Sequence, residues 1–158
     1  MSHEKPKVRI GVIGAGWWAT EYHIPGILAQ SEAELVAVCD PNPERLAGAV
    51  RAYPLQKTYS DYQEMLEREA LDGAIVVTPH ATHYPIARHC LERRLHVLVE
   101  KPLTLLAKEA RDLVQLAEAQ NRQLMVGYTY HYYQQVQRAR RAVLAGELGK
   151  IQYVNSSF

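Results

Sequence analysis

The stretch Gly11-Val12-Ile13-Gly14-Ala15-Gly16-Trp17-Trp18-Ala19 decides how the chain folds. A mainly apolar run, residues 7–13, ends inside this stretch. The small residues that follow, Gly14, Gly16 and Ala19, have the spacing G-x-G-x-x-A. In a strand-to-helix turn, the first glycine permits a tight turn, the second lets a pyrophosphate approach the backbone, and the small last residue lets helix and strand pack closely. The N–H groups that open the helix then face the phosphates. The stretch therefore predicts a dinucleotide-binding turn.

An acidic residue stands at the distance that such a turn requires. Asp40 ends the second apolar run, about 20 residues past the glycines. A carboxylate there accepts hydrogen bonds from the adenosine ribose and repels a 2′-phosphate, which favours NAD. Two alternatives stay open: Asp40 could instead cap the turn that continues into Pro41, and Arg45 could reach a 2′-phosphate, so that NADP is possible.

Short apolar runs alternate with helix-like segments along the whole chain. The runs do not alternate polar with apolar residues, which is typical of a parallel sheet covered on both faces. The sequence therefore predicts an α/β fold with a doubly wound parallel sheet, the Rossmann arrangement. The predicted strands are 7–13, 35–39, 57–59, 74–77, 97–99 and 124–126.

Helix starts follow from capping residues. Asn42 predicts a helix to about Tyr53, Ser60 and Gln63 fit a capping box, and Thr104 predicts a helix to about Gln120. The remaining predicted elements are helices over 83–93 and 133–145 and a last strand over 150–157. We expect a dinucleotide-binding domain over 1–127, a connecting helix region over 128–149, and the start of a second domain over 150–158.

The composition excludes several classes of protein. The 158 residues are 47% apolar and 22% charged, with a formal net charge of +1, so we expect neither nucleic acid nor a membrane surface as a partner. No apolar run approaches the roughly 20 residues of a membrane span. Because a chain of this size can build a core without disulfides, we expect its two cysteines, Cys39 and Cys90, to be free buried thiols and the protein to be cytoplasmic.

Three further loops follow predicted strands and therefore share one edge of the sheet, where ligands bind. They are Thr78-Pro79-His80, Glu100-Lys101-Pro102 and Gly127-Tyr128.

With these loops the chain resembles the N-terminal half of the Gfo/Idh/MocA oxidoreductases. The matching residues are the Gly14–Ala19 turn with His23 after it, Asp40-Pro41, Thr78-Pro79 with His83, Glu100-Lys101-Pro102, Val126-Gly127-Tyr128 and the closing 146–151. The resemblance implies an NAD(P)-dependent oxidoreductase that moves a hydride between nicotinamide and a sugar, polyol or related hydroxy compound.

The resemblance also implies roles for single residues. Gly14, Gly16 and the Ala15 backbone would hold the pyrophosphate, with Trp17 and Trp18 covering the cofactor. Thr78, Pro79 and His83 would line the cofactor cleft, Glu100 would sit by the cofactor, and Lys101 would be catalytic, because the ammonium form of a lysine is disfavoured beside a cationic nicotinamide. We expect a cis bond before Pro102.

The chain departs from the family pattern at several places. His80 stands where the family commonly has Asn, and Tyr128 is followed by Thr129 rather than by an Arg-rich stretch. The family's substrate domain is expected beyond Phe158, so the 158 residues alone should bind cofactor without turnover. A non-catalytic dinucleotide-binding module or sensor is the alternative. We expect no metal site, and an unpaired last strand predicts association between copies, a possible homo-oligomer.

Overall fold

A computed structural model describes residues 6–155 of the chain. Six parallel strands form one sheet in the order β3-β2-β1-β4-β5-β6. The strands are β1 Val8–Ile13, β2 Ala33–Cys39, β3 Thr58–Tyr59, β4 Gly73–Val76, β5 His96–Val99 and β6 Leu124–Val126. The predicted strands of the sheet are confirmed to within two residues at each end, and so is the α/β fold with a doubly wound sheet.

Helices follow the strands and cover the sheet from two sides. They are a π-helical turn Ala19–His23 that leads into α1 Ile24–Leu28, then α2 Pro43–Ala52, α3 Tyr62–Arg68, α4 His83–Glu92, α5 Ala107–Gln120 and α6 Gln134–Leu144. Residues of α1 and α2 form one buried cluster with the sheet, and residues of α3, α4 and α5 form another. The sheet therefore has a core on each face.

The prediction of a sheet covered on both faces is wrong over β6. Met125, at the middle of β6, is 45% exposed. Because α1 and α2 follow β1 and β2, they pack over that half of the sheet, and a groove of about 190 Å³ lined by Ile10, Ile75, Leu98 and Met125 stays open beside them.

Two helix starts differ from the sequence prediction. Asp61, not Ser60, caps α3, since its side chain accepts a hydrogen bond from the Gln63 N–H at 2.9 Å. The Thr104 hydroxyl donates to the Leu106 carbonyl at 2.9 Å and turns the chain, so that α5 begins only at Ala107. The Asn42 cap is confirmed by two backbone N–H groups that donate to its side chain.

The described chain divides into two compact units, the first ending at Gly127 and the second beginning at Tyr128. The second unit holds a 3₁₀ turn, Thr129–Tyr132, and α6. The strand expected over 150–157 is not formed in its described part, 150–155, because no other strand of that unit is available for pairing among the described residues. Residues 156 and 157 lie outside the described residues. Within residues 6–155, no helix combines the length and the apolar composition that crossing a membrane requires.

Candidate functional site

The turn after β1 is built around two glycines with different surroundings. Gly14 has φ of +104°, and a Cβ there would lie 2.4 Å from the Val77 carbonyl oxygen, so only glycine fits. A Cβ on Gly16 would meet no atom within 4 Å. The Gly16 backbone therefore faces open space, as a backbone that receives a pyrophosphate must. This open cradle fits the phosphates of a dinucleotide.

Asp40 lies directly after β2 and is only 3% exposed. Its Oδ2 accepts a hydrogen bond from the Ala15 N–H at 2.8 Å, and its Oδ1 accepts one from the Asn42 N–H at 2.9 Å. The carboxylate thus performs the turn-capping role that the sequence left open, and it also fixes the glycine turn. The Arg45 guanidinium stands 3.8 Å from the same carboxylate.

Asp40 also lines a cleft of about 430 Å³ at the carboxyl ends of β1, β2 and β4. Here the strand order reverses, which is where an open parallel sheet binds its ligand. Gly14, Arg45, Thr78 and Pro79 share the lining. The sequence prediction missed the loop 60–62, which lines the cleft as well. Its position after the short strand β3, at the same edge, is the signal that could have placed it.

Cys39 forms the floor of this cleft and is a poor nucleophile. The thiol is free and only 2% exposed. Burial raises its pKa to about 12, and the carboxylates of Asp61 and Asp40 add to the effect. Burial likewise raises the pKa of Cys90 to about 12. The prediction of free, buried thiols is confirmed.

The loop after β4 is tied to the loop after β5 by a histidine. His83 is fully buried, with Nδ1 2.7 Å from the Pro102 carbonyl oxygen and Nε2 2.9 Å from the Thr78 carbonyl oxygen. His80 lies nearer the surface, and its ring centroid is 5.6 Å from that of His83. Both ring nitrogens of His83 face protein carbonyls.

Glu100 and Lys101 follow β5 and point in different directions. Glu100 is 7% exposed, whereas the side chain of Lys101 is exposed. The Lys101 Nζ stands 5.9 Å from the centre of the Trp18 ring. These residues, with Thr78 and His80, line a second cleft of about 210 Å³. The peptide bond before Pro102 is cis, as the sequence predicted.

The aromatic residues of the first helix form an open cluster. Trp17 is 66% exposed, and its ring packs edge-on against Tyr22 at 5.7 Å. The Trp18 ring lies 4.2 Å from the Tyr22 ring. Tyr128 is the first residue of the second unit and is 59% exposed. Among residues 6–155, no group of three or more His, Cys, Asp or Glu side chains is placed to hold a metal ion.

The chain is similar to several sugar-modifying enzymes. It is 31% identical over 153 residues to the dTDP-3,4-didehydro-2,6-dideoxy-alpha-D-glucose 3-reductase of Streptomyces antibioticus, covering 97% of this chain and 46% of that protein. It is 27% identical over 153 residues to the D-xylose 1-dehydrogenase [NADP(+)] of Haloarcula marismortui, covering 95% and 42%. The chain thus spans less than half the length of these relatives.

Solved structures agree with these relatives. The WlbA dehydrogenase of Bordetella pertussis, in complex with NADH and UDP-GlcNAcA, superposes with a TM-score of 0.85 at 28% identity, covering 92% of this chain and 44% of that one. Residues 8–128 match the model of the oxidoreductase family with an NAD-binding Rossmann fold, GFO_IDH_MocA. Since this match includes all six strands of the sheet, the chain belongs to the Gfo/Idh/MocA family of oxidoreductases.

Proposed function

We propose that the protein catalyses reversible hydride transfer between the nicotinamide of NAD and a secondary alcohol of a sugar or polyol. The exposed Lys101 side chain carries this proposal, because it is a proton-transferring group at the same sheet edge as the open backbone of Gly16. The related reductase and dehydrogenases that act on sugars support the substrate class.

The cofactor supplies the hydride acceptor, and the chain supplies binding and orientation. The backbone at Gly14–Gly16 would receive the pyrophosphate, and Asp40 and Arg45, which line the larger cleft, would hold the adenosine ribose. Thr78 lines both clefts, so it would contact the middle of a dinucleotide that spans them. The order of these residues along the edge would set the direction in which the cofactor binds.

Lys101 handles the proton. When a hydride leaves the carbinol carbon, the hydroxyl on that carbon must lose its proton, and a neutral lysine amine within hydrogen-bond reach accepts it. In the reverse direction the ammonium returns the proton to the alkoxide oxygen. Glu100 is turned inward and buried, so Lys101 is the only titratable side chain of the Glu100-Lys101-Pro102 loop that reaches solvent.

Cofactor titration tests whether the chain binds NAD, which both the proposed enzyme and a non-catalytic dinucleotide-binding module require. Isothermal calorimetry should show saturable binding of NAD, and the Lys101→Ala variant should retain that binding, because Lys101 lines the smaller cleft and not the larger one that would receive the adenosine. Absence of binding of both NAD and NADP would contradict the proposal. Lys108→Ala, an exposed lysine on α5, is the matched control.

A turnover screen with cyclic polyols and sugars, carried out on the protein that contains the remaining length of its relatives, tests the catalytic part. We expect nicotinamide reduction at 340 nm to depend on Lys101, with Lys101→Ala reducing kcat by at least ~10²-fold, the lower range for a general base. Cofactor binding without turnover by the protein that contains the remaining length of its relatives would instead favour a non-catalytic dinucleotide-binding module.

The free thiols of Cys39 and Cys90 support a reducing, cytoplasmic location. Association between copies through the segment after Lys150 is part of the same proposal, and sedimentation at several protein concentrations would test it.

A further inference from the structure

The Glu100 carboxylate is surrounded by protein donors. Its Oε1 accepts hydrogen bonds from the Trp18 indole N–H at 2.7 Å and lies 2.9 Å from His23 Nε2. Its Oε2 accepts one from the Lys101 backbone N–H at 3.1 Å. Two donors thus come from the first helical segment and one from the loop that carries Lys101.

The donor chemistry leaves one assignment for this cluster. Indole and backbone N–H groups can only donate, so both Glu100 oxygens act as acceptors. His23 must then present a proton on Nε2 to Oε1. All three donors are satisfied by one side chain that is itself 7% exposed, which makes the arrangement costly to break.

A glycine confines the carboxylate from a third direction. A Cβ on Gly127, just after β6, would lie 2.8 Å from Glu100 Oε1 and 3.0 Å from its Cδ. The carboxylate therefore occupies space that any other residue at position 127 would fill. The first helical segment, the loop after β5 and the residue after β6 thus meet at this one group.

Lys101 is held on both sides of its backbone, and its exposed side chain lies over the Trp18 ring. Its N–H donates to Glu100, and the carbonyl of the next residue, Pro102, lies 2.7 Å from His83 Nδ1. The Lys101 ammonium faces the Trp18 ring at 5.9 Å, and the same ring is tied to Glu100 through its N–H. The carboxylate thus fixes the backbone of Lys101 and also the ring against which its side chain rests.

We propose that Glu100 is a positioning residue that holds Lys101 and Trp18 as one unit, with His23 as its third partner, and that it does not bind the cofactor itself. Its importance for catalysis rests on the proposed function of Lys101. We call this arrangement of Glu100 with Trp18, His23 and the Lys101 backbone the anchor. It can be tested without turnover, because it predicts where the Lys101 side chain lies.

Ring-current shifts give that test. Reductive methylation with ¹³C-formaldehyde places a probe on each lysine, and Lys101→Arg identifies the Lys101 signal. We expect the Trp18 ring to shift this signal upfield in the wild-type protein, and Trp18→Leu to remove the shift. Glu100→Gln, which cannot accept from all three donors, should move the signal most of the way to its Trp18→Leu position. A wild-type shift in folded Glu100→Gln would overturn the proposal, and the Lys108 probe reports any general change.

The wild-type chain alone provides a second measurement, should Glu100→Gln fail to fold. The Trp18 indole N–H should exchange with deuterium at least tenfold more slowly than that of Trp17, which is 66% exposed. Equal exchange rates would overturn the proposal.

A double-mutant cycle separates positioning from direct cofactor contact. Trp18→Phe keeps an aromatic face but removes the N–H. If Glu100 acts through Trp18, the NAD affinity of the Trp18→Phe/Glu100→Gln protein should equal that of the weaker single variant to within about twofold, because the two changes break one network. Losses that multiply would show that Glu100 contacts the cofactor independently. Failure of NAD to bind at all would contradict the proposed function. The ring-current measurement would still test the positioning role of Glu100, because it does not require NAD.

Discussion

Gly14 and Gly16 stand two residues apart, and the structure requires glycine at each for a different reason. At Gly14 a side chain would strain the backbone, since φ is +104°, and would clash with the Val77 carbonyl. At Gly16 a side chain would meet nothing in the protein. One glycine is therefore needed for the fold and the other for an open approach to the backbone.

Alanine substitutions separate these two needs. Gly14→Ala should lower the free energy of unfolding by at least about 1–3 kcal/mol, the cost of strain at such a φ. Gly16→Ala should leave the free energy of unfolding unchanged to within about 0.5 kcal/mol but weaken NAD binding by at least about tenfold, because its methyl group projects where the pyrophosphate approaches. Urea denaturation and calorimetry measure the two effects. Normal NAD binding by Gly16→Ala would contradict this use of the turn.

Arg45 is the residue that we expect to set the preference between NAD and NADP. Its side chain is 55% exposed at the cleft, 3.8 Å from Asp40, whose two oxygens already accept backbone N–H groups. The 2′-phosphate of NADP could accept a hydrogen bond from this guanidinium. A well-formed charge-assisted hydrogen bond contributes about 1.5–3 kcal/mol to the free energy of binding. We therefore expect measurable NADP binding alongside NAD binding.

Removing the guanidinium should change the preference between the two cofactors. Arg45→Ala should weaken NADP binding by roughly tenfold and change NAD binding by less than about twofold. Arg51→Ala, which removes the same charge from the other end of α2, is the matched control. An equal loss for both cofactors, or an equal effect of Arg51→Ala, would exclude a 2′-phosphate contact by Arg45.

Among the elements, the short edge strand β3 is joined to α3 through the Glu69 carboxylate, an interaction that we call the clamp. Glu69, which ends α3, accepts hydrogen bonds from the Lys57 ammonium at 2.7 Å and from the Tyr59 hydroxyl at 2.6 Å. These bonds, first from Lys57 and then from Tyr59, lower the pKa of Glu69 below its ordinary value of 4.5. The carboxylate thus joins both sides of β3 to the helix that follows.

The clamp predicts a dependence of stability on pH. Because the pKa of Glu69 is lower in the folded chain than in the unfolded chain, its contribution is present above pH 4.5 and is lost as the pH falls through the folded pKa. Urea denaturation between pH 3 and 7 measures the free energy of unfolding. As the pH falls, this free energy should decrease less in Glu69→Gln than in the wild type. Glu64→Gln, which breaks only an exposed pair with Arg68, should follow the wild-type curve.

Element boundaries show what sequence patterns could and could not predict. Five of the six strands were predictable because each is a short apolar run between polar loops; the exception, β3, is only Thr58–Tyr59. The start of α5 was not, since Thr104 has the right chemistry for a cap but its hydroxyl donates to the Leu106 carbonyl instead. The strand after Lys150 has the right composition, and it lacks a neighbour to pair with among the described residues.

For the whole molecule, spacing along the chain predicted the parts of the site that local geometry determines. Gly14, Gly16 and Asp40 follow from distances of a few to about 20 residues. The anchor around Glu100 could not be read in this way, because Trp18 and Glu100 are 82 positions apart and meet only through the order of strands. His23 matched a family pattern, yet its contact with Glu100 follows from the fold alone.

Cofactor binding should stabilise the whole molecule, because the clefts lie where several strand ends meet rather than on one loop. NAD at a hundred times its Kd adds ~2.7 kcal/mol to the free energy of unfolding. For a domain of about 150 residues this raises Tm by roughly 5–11 °C. Differential scanning calorimetry measures the rise, and Gly16→Ala at the same NAD concentration, which is then about ten times its own Kd, should show roughly half of the rise or less. A rise in the wild type that Gly16→Ala reproduces in full would place the cofactor away from the glycine turn, since a methyl group there would hinder the approach of the pyrophosphate.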